Sequence, residues 1–359
     1  MTETDSTDTP LIALDAMGGD HGSKSTTRAA AVISKTTDIR LLLVGNREEL
    51  LPLLEKYEAR LDRIEFLHTT DFVPMDEGAL ASARRTSSSI ALAAQSVASG
   101  RAQALVTAGN TAAVLLHCSR VISQIPGINR TVLAAVHPTL PREHNADPLG
   151  LLLDVGANLS CDAEDLVQFA AMGAAYASRI SKTATPTVGL LNIGEEESKG
   201  DALLRQAHQL LREASGQAFN FYGNVEGRDI PLGVVDVVVC PGILGNVVLK
   251  LLESMGEVVL ALGNDMLSQR PTWRLGRRML RGGLHQISDM AHYSEYGGAP
   301  ILGLERIVIK AHGRSDAKAI ENAIKVAAKA VRTDVCGGIV EAIAKAQENR
   351  FKSLSLGTE

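Results

Sequence analysis

The chain has 359 residues, 45% of them hydrophobic, enough to bury a large core as one α/β unit or two intimate lobes. A net charge of −5 argues against a general polyanion binder, and aromatics at 3% argue against stacking platforms for single-stranded nucleic acid. Cys118, Cys161, Cys240 and Cys336 lie far apart with no CxxC pair, which speaks against a zinc site or disulfide framework and for reduced, cytoplasmic thiols.

Residues 1–9 are polar and acidic, the opposite of a signal peptide, and are expected to fray. Residues 11–14 read as a strand buried on both faces, ended by Asp15. Gly18, Gly19 and Gly22 then form a loop containing Asp20 and His21, followed by a helix over 24–35 capped by Ser23 or Ser25. Strand, glycine loop and helix start gather backbone N–H groups around an anion. A strand over 41–44 leads into Gly45-Asn46 and a helix from Arg47. Residues 64–67 form another strand, and 76–99 read as helical. A strand over 104–107 precedes Gly109-Asn110 and a helix to about 123. A strand over 131–136 precedes a proline-punctuated loop, 137–148, in which His137 and His144 read as solvated.

Residues 151–154 then lead into Gly156-Ala157-Asn158 and a helix over 163–179. A strand over 188–193 precedes Gly194-Glu195-Glu196-Glu197-Ser198-Lys199-Gly200, and one over 219–222 precedes Gly223-Asn224. Residues 235–240 lead through Gly245-Asn246 into a long helix; 307–310 precede His312, and two Ala-rich helices close the chain. The apolar region 234–252 is broken by Asp236, Pro241, two glycines and Lys250, so it is no membrane span. The alternation predicts an α/β protein, three-layer αβα, with a largely parallel sheet. Its strand ends would line one rim with backbone donors and small polar groups, where ligands of open sheets bind. The domain expected is a single unit over 10–348, with a tail over 349–359.

Familiar motifs are absent. In Gly18 to Ser25 three residues rather than four separate Gly18 from Gly22, and Ser23 intrudes before Lys24, so no Walker loop forms. No GxGxxG, G-x-S-x-G or HExxH occurs, and neither cofactor nor metal is expected. Arg270, Arg274, Arg277, Arg278 and Arg281 flank an apolar stripe that begins at Trp273, within a basic amphipathic segment over about 265–292. Such a segment suits an acidic protein or an anionic membrane surface, with a dimer contact as the plainer alternative.

Eight stretches in order, 14–22, 107–114, 151–158, 188–200, 222–230, 236–250, 295–303 and 308–316, resemble the bacterial phosphate acyltransferase family of phospholipid synthesis. The resemblance implies a Rossmann-like fold related to isocitrate and isopropylmalate dehydrogenases, used without nicotinamide, and a homodimer. It implies transfer of a fatty acyl group from acyl carrier protein to inorganic phosphate. The acyl phosphate would feed a membrane glycerol-3-phosphate acyltransferase, with peripheral attachment at the inner face of the cell membrane in some members. On this basis Lys199 and Asn246 are the expected catalytic residues. Asp15, Gly18, Gly19, Asp20, His21, Asn110, Asn158, Glu195 and His312 would complete the phosphate rim. The chain departs from the family pattern at Pro241-Gly242-Ile243, where Asp-Gly-Phe is usual, and at Arg130-Thr131, where Arg-Pro is usual. The competing expectations are an NAD-dependent decarboxylating dehydrogenase and a non-catalytic carrier-protein or membrane adaptor.

Overall fold

Short apolar runs and longer amphipathic stretches fold into alternating strands and helices in the computed structural model, which describes residues 9–140, 149–280, 282–283 and 297–356. The chain opens with β1 (Leu11–Asp15), α1 (Gly22–Thr36), β2 (Arg40–Gly45), α2 (Arg47–Lys56) and β3 (Ile64–His68). Then come α3 (Ala79–Ser82), α4 (Ser89–Ala98), β4 (Ala104–Thr107), α5 (Thr111–Val121) and β5 (Val132–Pro138). They are followed by β6 (Leu149–Leu153), α6 (Ala163–Ser181), β7 (Thr187–Leu191), α7 (Ala202–Ala214), β8 (Asn220–Val225), α8 (Asp229–Leu232) and β9 (Val237–Val239). The last elements are α9 (Gly242–Ser268), α10 (Pro271–Met279), β10 (Ala299–Leu302), β11 (Ile307–Lys310), α11 (Ala317–Arg332) and α12 (Val335–Leu356).

Among the described residues eleven strands form one sheet, ordered β3-β2-β1-β4-β11-β10-β5-β6-β9-β7-β8. Alternate side chains supply two cores. Ile12, Leu14, Leu41 and Leu43 face one core with Ala29 of α1, Phe169 of α6, Leu211 of α7, Ile324 of α11 and Ile339 of α12. Leu11, Ala13, Leu42 and Val44 face the other with Ala94 of α4, Val114 of α5 and Leu249 of α9. Period-two alternation on strands apolar on both faces therefore yields a sheet covered by helices on both sides.

The sheet is mostly parallel, but its two blocks run in opposite directions. β3, β2, β1, β4 and β11 are mutually parallel, as are β6, β9, β7 and β8. Between them β10 is antiparallel to β11 and β5, and β5 is antiparallel to β6. The single polar rim expected from the sequence is thus two rims at opposite ends of the sheet.

Other expectations also change. The helix expected over 76–99 is split, because Ser82 ends α3 and the hydroxyl run before Ser89 turns the chain. There Ser88 Oγ donates to the Arg85 carbonyl at 2.7 Å, and Arg85 bridges Asp71 and Glu77 at 2.8 and 2.9 Å. β10 was not anticipated. His137 lies buried in β5 rather than in a solvated loop; His144 and residues 1–8 lie outside the described residues. α12 continues past the expected boundary at 348, with Arg350 Nη2 donating to Glu164 on α6 at 2.8 Å.

Candidate active site

The two strand-end aspartates staple the two rims. Asp15, at the end of β1, accepts from Thr107 Oγ1 at 2.7 Å and from the N–H groups of Met17 and Gly18 at 3.3 Å. A Cβ on Gly18 would stand 2.6 Å from Asp15 Oδ2 and 2.8 Å from the Gly109 nitrogen, so only glycine allows this closure. Burial pushes the Asp15 carboxyl above its ordinary pKa, against hydrogen bonds from Ser89 and Thr107 that pull it down. The Asp20 N–H donates to the Gly313 carbonyl at 2.8 Å, joining the first loop to the loop after β11. Asp15 and Gly18 are therefore buried supports, whereas Asp20 and His21 are exposed on this first rim.

Asp154, wholly buried after β6, has the matching role at the second rim. It accepts from the N–H groups of Gly156, Ala157 and Asn158 at 3.0, 2.9 and 2.8 Å, and from Asn158 Nδ2 at 2.8 Å. Asn158 Nδ2 also donates to the Thr131 carbonyl at 2.9 Å, so this side chain is a tie within the protein. Gly245 packs directly on the Asp154 carbonyl, leaving no space for a Cβ, and Asn246 then lies against Gly156.

The four Gly-Asn pairs serve different ends. Asn46 caps α2 through Glu48 N–H at 3.2 Å, and Asn110 caps α5 through Ala113 N–H at 3.1 Å. Asn110 Nδ2 also donates to the Met75 and Glu77 carbonyls at 2.7 and 3.1 Å. Asn224 is buried against His208 and the Glu196 carbonyl. For Asn46 and Asn110 helix capping accounts for the motif.

Asn246 instead lines a cleft of about 440 Å³ between α5 and α9, over the central strands. The cleft has an apolar wall of Leu115, Leu133, Val136, Val155 and Leu249, and polar groups at Asn246, Lys250, Glu253, Lys310 and His312. α9 makes this possible because it crosses from one rim to the other. Gly245 and Asn246 pack at the end of β6, Lys250 and Glu253 face the end of β11, and Glu257 stands 4.0 Å from Arg314. Lys250 Nζ holds Glu253 at 2.7 Å.

Lys310 and Glu253 were not singled out from the sequence. A charged residue ending a strand reads as solvated, and the helix that covers it starts more than sixty residues earlier. Lys310 is only 9% exposed, and its ammonium is pushed down to about 8, chiefly by burial and then by Lys250. Burial and the Lys310 charge likewise hold His312 below its ordinary value. The Arg314 N–H donates to His312 Nδ1 at 3.2 Å, so a neutral ring carries its proton on Nε2.

Lys199 and Glu195 do not line the cleft. Both are exposed on the loop after β7, on the same rim as Asn246; Lys199 is 3.8 Å from Glu196 and Glu195 is 2.9 Å from Arg228. In the basic segment Arg270 stacks over Trp273 at 4.7 Å, and Arg278 is exposed. The side chains of Arg274 and Arg277, and all of Arg281, lie outside the described residues. Among the described residues no three of His, Cys, Asp and Glu stand together to hold a metal ion, and no helix is long and apolar enough to cross a membrane.

A family model described as fatty acid synthesis protein matches residues 11–337. A phosphate acyltransferase of Desulfitobacterium hafniense (strain Y51) is 42% identical over 336 residues, 93% of this chain and 96% of its own. One from Heliobacterium modesticaldum is 41% identical over 334 residues, 92% of this chain and 97% of its own. In fold, the chain is similar to a phosphotransacetylase from Streptococcus pyogenes, with a TM-score of 0.62 at 16% identity over 90% of this chain and 94% of that one. EutD phosphotransacetylase from Staphylococcus aureus gives a TM-score of 0.57 at 15% identity, over 91% and 95%.

Proposed function

The chain belongs to the phosphate acyltransferase family, and we propose that the cleft between α5 and α9 is where a carrier-protein thioester meets inorganic phosphate. The enzyme moves an acyl group to phosphate. The observation that supports this cleft is its division into an apolar wall, suited to an acyl chain, and a polar cluster, suited to a dianion.

The chemistry needs no protein nucleophile. An oxygen of HPO4²⁻ attacks the thioester carbon, the C–S bond breaks, and the phosphate's proton passes to the departing thiolate. Acyl phosphate and free carrier thiol result. Positioning the two reactants contributes roughly 7–11 kcal/mol, and each donor aimed at the developing oxyanion about 3 kcal/mol. Asn246, near the start of α9, is the proposed oxyanion donor. Lys199, on the same rim but outside the cleft walls, is proposed to neutralise the anion as it approaches. His312 is the proposed phosphate contact on the first rim, with Gly19, Asp20 and His21 beside it.

Purified protein given acyl-carrier thioester and phosphate is expected to release carrier thiol only when phosphate is present. Asn246→Ala is expected to lower kcat by on the order of a hundredfold. Thiol release without phosphate, reduction of a nicotinamide cofactor, or an unchanged Asn246→Ala enzyme would each contradict this reading.

The finer features are proposals of the same kind. The fold is of the isocitrate and isopropylmalate dehydrogenase type, used without nicotinamide. The exposed apolar face of α9 (Val247, Leu251, Met255, Val258, Leu262) supports a homodimer. The basic segment from Arg270 supports docking of the acidic carrier, with peripheral contact to anionic lipid at the inner face of the membrane. Delivery of acyl phosphate to a membrane glycerol-3-phosphate acyltransferase would follow.

A further inference from the structure

Lys310 is a cation in a place that disfavours one. It ends β11 at 9% exposure, and among the described residues no carboxylate lies within ion-pair distance of its Nζ. A buried charge without a partner is retained at a stability cost, which points to a partner that arrives from outside. Lys310 lines the cleft, and so do His312 and the first two residues of α5, Thr111 and Ala112.

These groups share one chemical character. His312 Nδ1 is occupied by the Arg314 N–H, leaving Nε2 as a donor. The first N–H groups of a helix lack intrahelical partners. In α5 the Asn110 side chain takes the Ala113 N–H and the Asn110 carbonyl takes the Val114 N–H. The Thr111 and Ala112 N–H groups have no acceptor among the described residues. An ammonium, an imidazole N–H and two amide N–H groups at a positive helix end are together complementary to a compact oxyanion. Two carboxylates oppose an anion here: Glu253, held by Lys250 at 2.7 Å, and Asp20, exposed on the first loop.

We propose that Lys310, His312 Nε2 and the Thr111 and Ala112 N–H groups form the seat of the phosphate nucleophile, with Asn246 serving the thioester carbonyl farther along α9. This inference rests on the cleft being the acyltransfer site and adds which end of it takes phosphate. Seven residues of helix separate Asn246 from Glu253, a rise of about 10 Å, which leaves room for one phosphate and one carbonyl between them.

Steady-state kinetics with acyl-carrier thioester and inorganic phosphate test the seat. Lys310→Met is expected to raise KM for phosphate about ten- to a hundredfold, with KM for the thioester little changed. Glu253→Gln removes one opposing charge from a half-buried position, and is expected to lower KM for phosphate severalfold. A purely structural role for this cluster would not produce that gain. An unchanged phosphate KM in both variants, while wild type turns over, overturns the seat but leaves the acyltransfer reading intact. If wild type forms no acyl phosphate, the acyltransfer reading fails instead. The seat is then decided by calorimetry with inorganic phosphate alone: binding by wild type and loss in Lys310→Met supports it, and equal behaviour of the two overturns it.

Discussion

At the scale of single residues, Lys310 shows how a site is bought with stability. Its ammonium titrates near 8 in the folded chain and near 10.5 when unfolded. Burial is the main cause, Lys250 on α9 adds to it, and Glu253 on α9 and Asp20 on the first loop oppose it, with His312 beside it on its own loop. Between those two values the unfolded chain binds more protons, so stability rises with pH across that window. Below pH 8 the penalty is present in full. Lys310→Met is therefore expected to be more stable than wild type at pH 7, by on the order of 1–3 kcal/mol, with the difference narrowing toward pH 10.5. Urea melts at the two pH values measure it; a less stable variant at pH 7 would show that the amine is a structural group. The sequence made Asn110 as visible as Asn246, because both follow glycine at a strand end. It could not reveal that one caps a helix while the other faces a cleft. Lys310 gave no local signal, since its burial comes from α9, distant in sequence.

At the scale of elements, α9 has two working faces. Asn246, Leu249, Lys250 and Glu253 turn toward the cleft. On the other side Val247, Leu251, Met255, Val258, Leu262 and Met266 recur every three or four residues and are exposed, Leu251 at 61% and Val258 at 47%. A helix apolar along a face that its own chain leaves open is suited to a second copy. Leu251→Glu with Val258→Glu is expected to shift the protein from dimer to monomer in sedimentation velocity. Its melting temperature in the monomer should be nearly unchanged, since neither side chain is in the core. A monomeric wild type, or a variant that stays dimeric, would exclude this face as the contact. That a long helix follows Gly245-Asn246 was legible, but the cap expected for α1 at Ser23 or Ser25 is not used: α1 starts at Gly22 after His21 with no side-chain cap. Asn46, Asn110, Asp162, Asp201 and Asp316, not singled out as caps, close the starts of their helices. The break between α3 and α4 was missed because apolar periodicity resumes on both sides of the hydroxyl run. β10 was missed because four residues containing Pro300 carry too little pattern.

At the scale of the whole molecule, the reversal between the two half-sheets decides how the site is assembled. Strand residues do not record their direction, but connection lengths do: 139–148 between β5 and β6 and 303–306 between β10 and β11 are too short for a crossover helix, which requires antiparallel neighbours. The sequence did not expose that cue, because β10 carried no readable pattern and the strands read over 131–136 and 151–154 left fourteen residues between them, room enough for a crossover. With the rims at opposite ends, α9 carries groups from one to the other, and α10 extends directly from its far end. The chain is −5 overall, yet 270–281 contains five arginines and no acid, so its field is strongly uneven. An acidic carrier would be drawn to that end, its thioester arm then entering beside α9. Arg270→Glu combined with Arg274→Glu and Arg278→Glu is expected to raise KM for the carrier thioester about tenfold at low salt. Its dependence on ionic strength should flatten, because the steering charge is removed. KM for phosphate should stay as in wild type, since the seat at Lys310 belongs to a different part of the fold. Sedimentation of the protein with anionic liposomes separates the two partners of this surface. Loss of liposome binding with unchanged carrier kinetics would assign the arginines to lipid and leave the carrier to dock elsewhere.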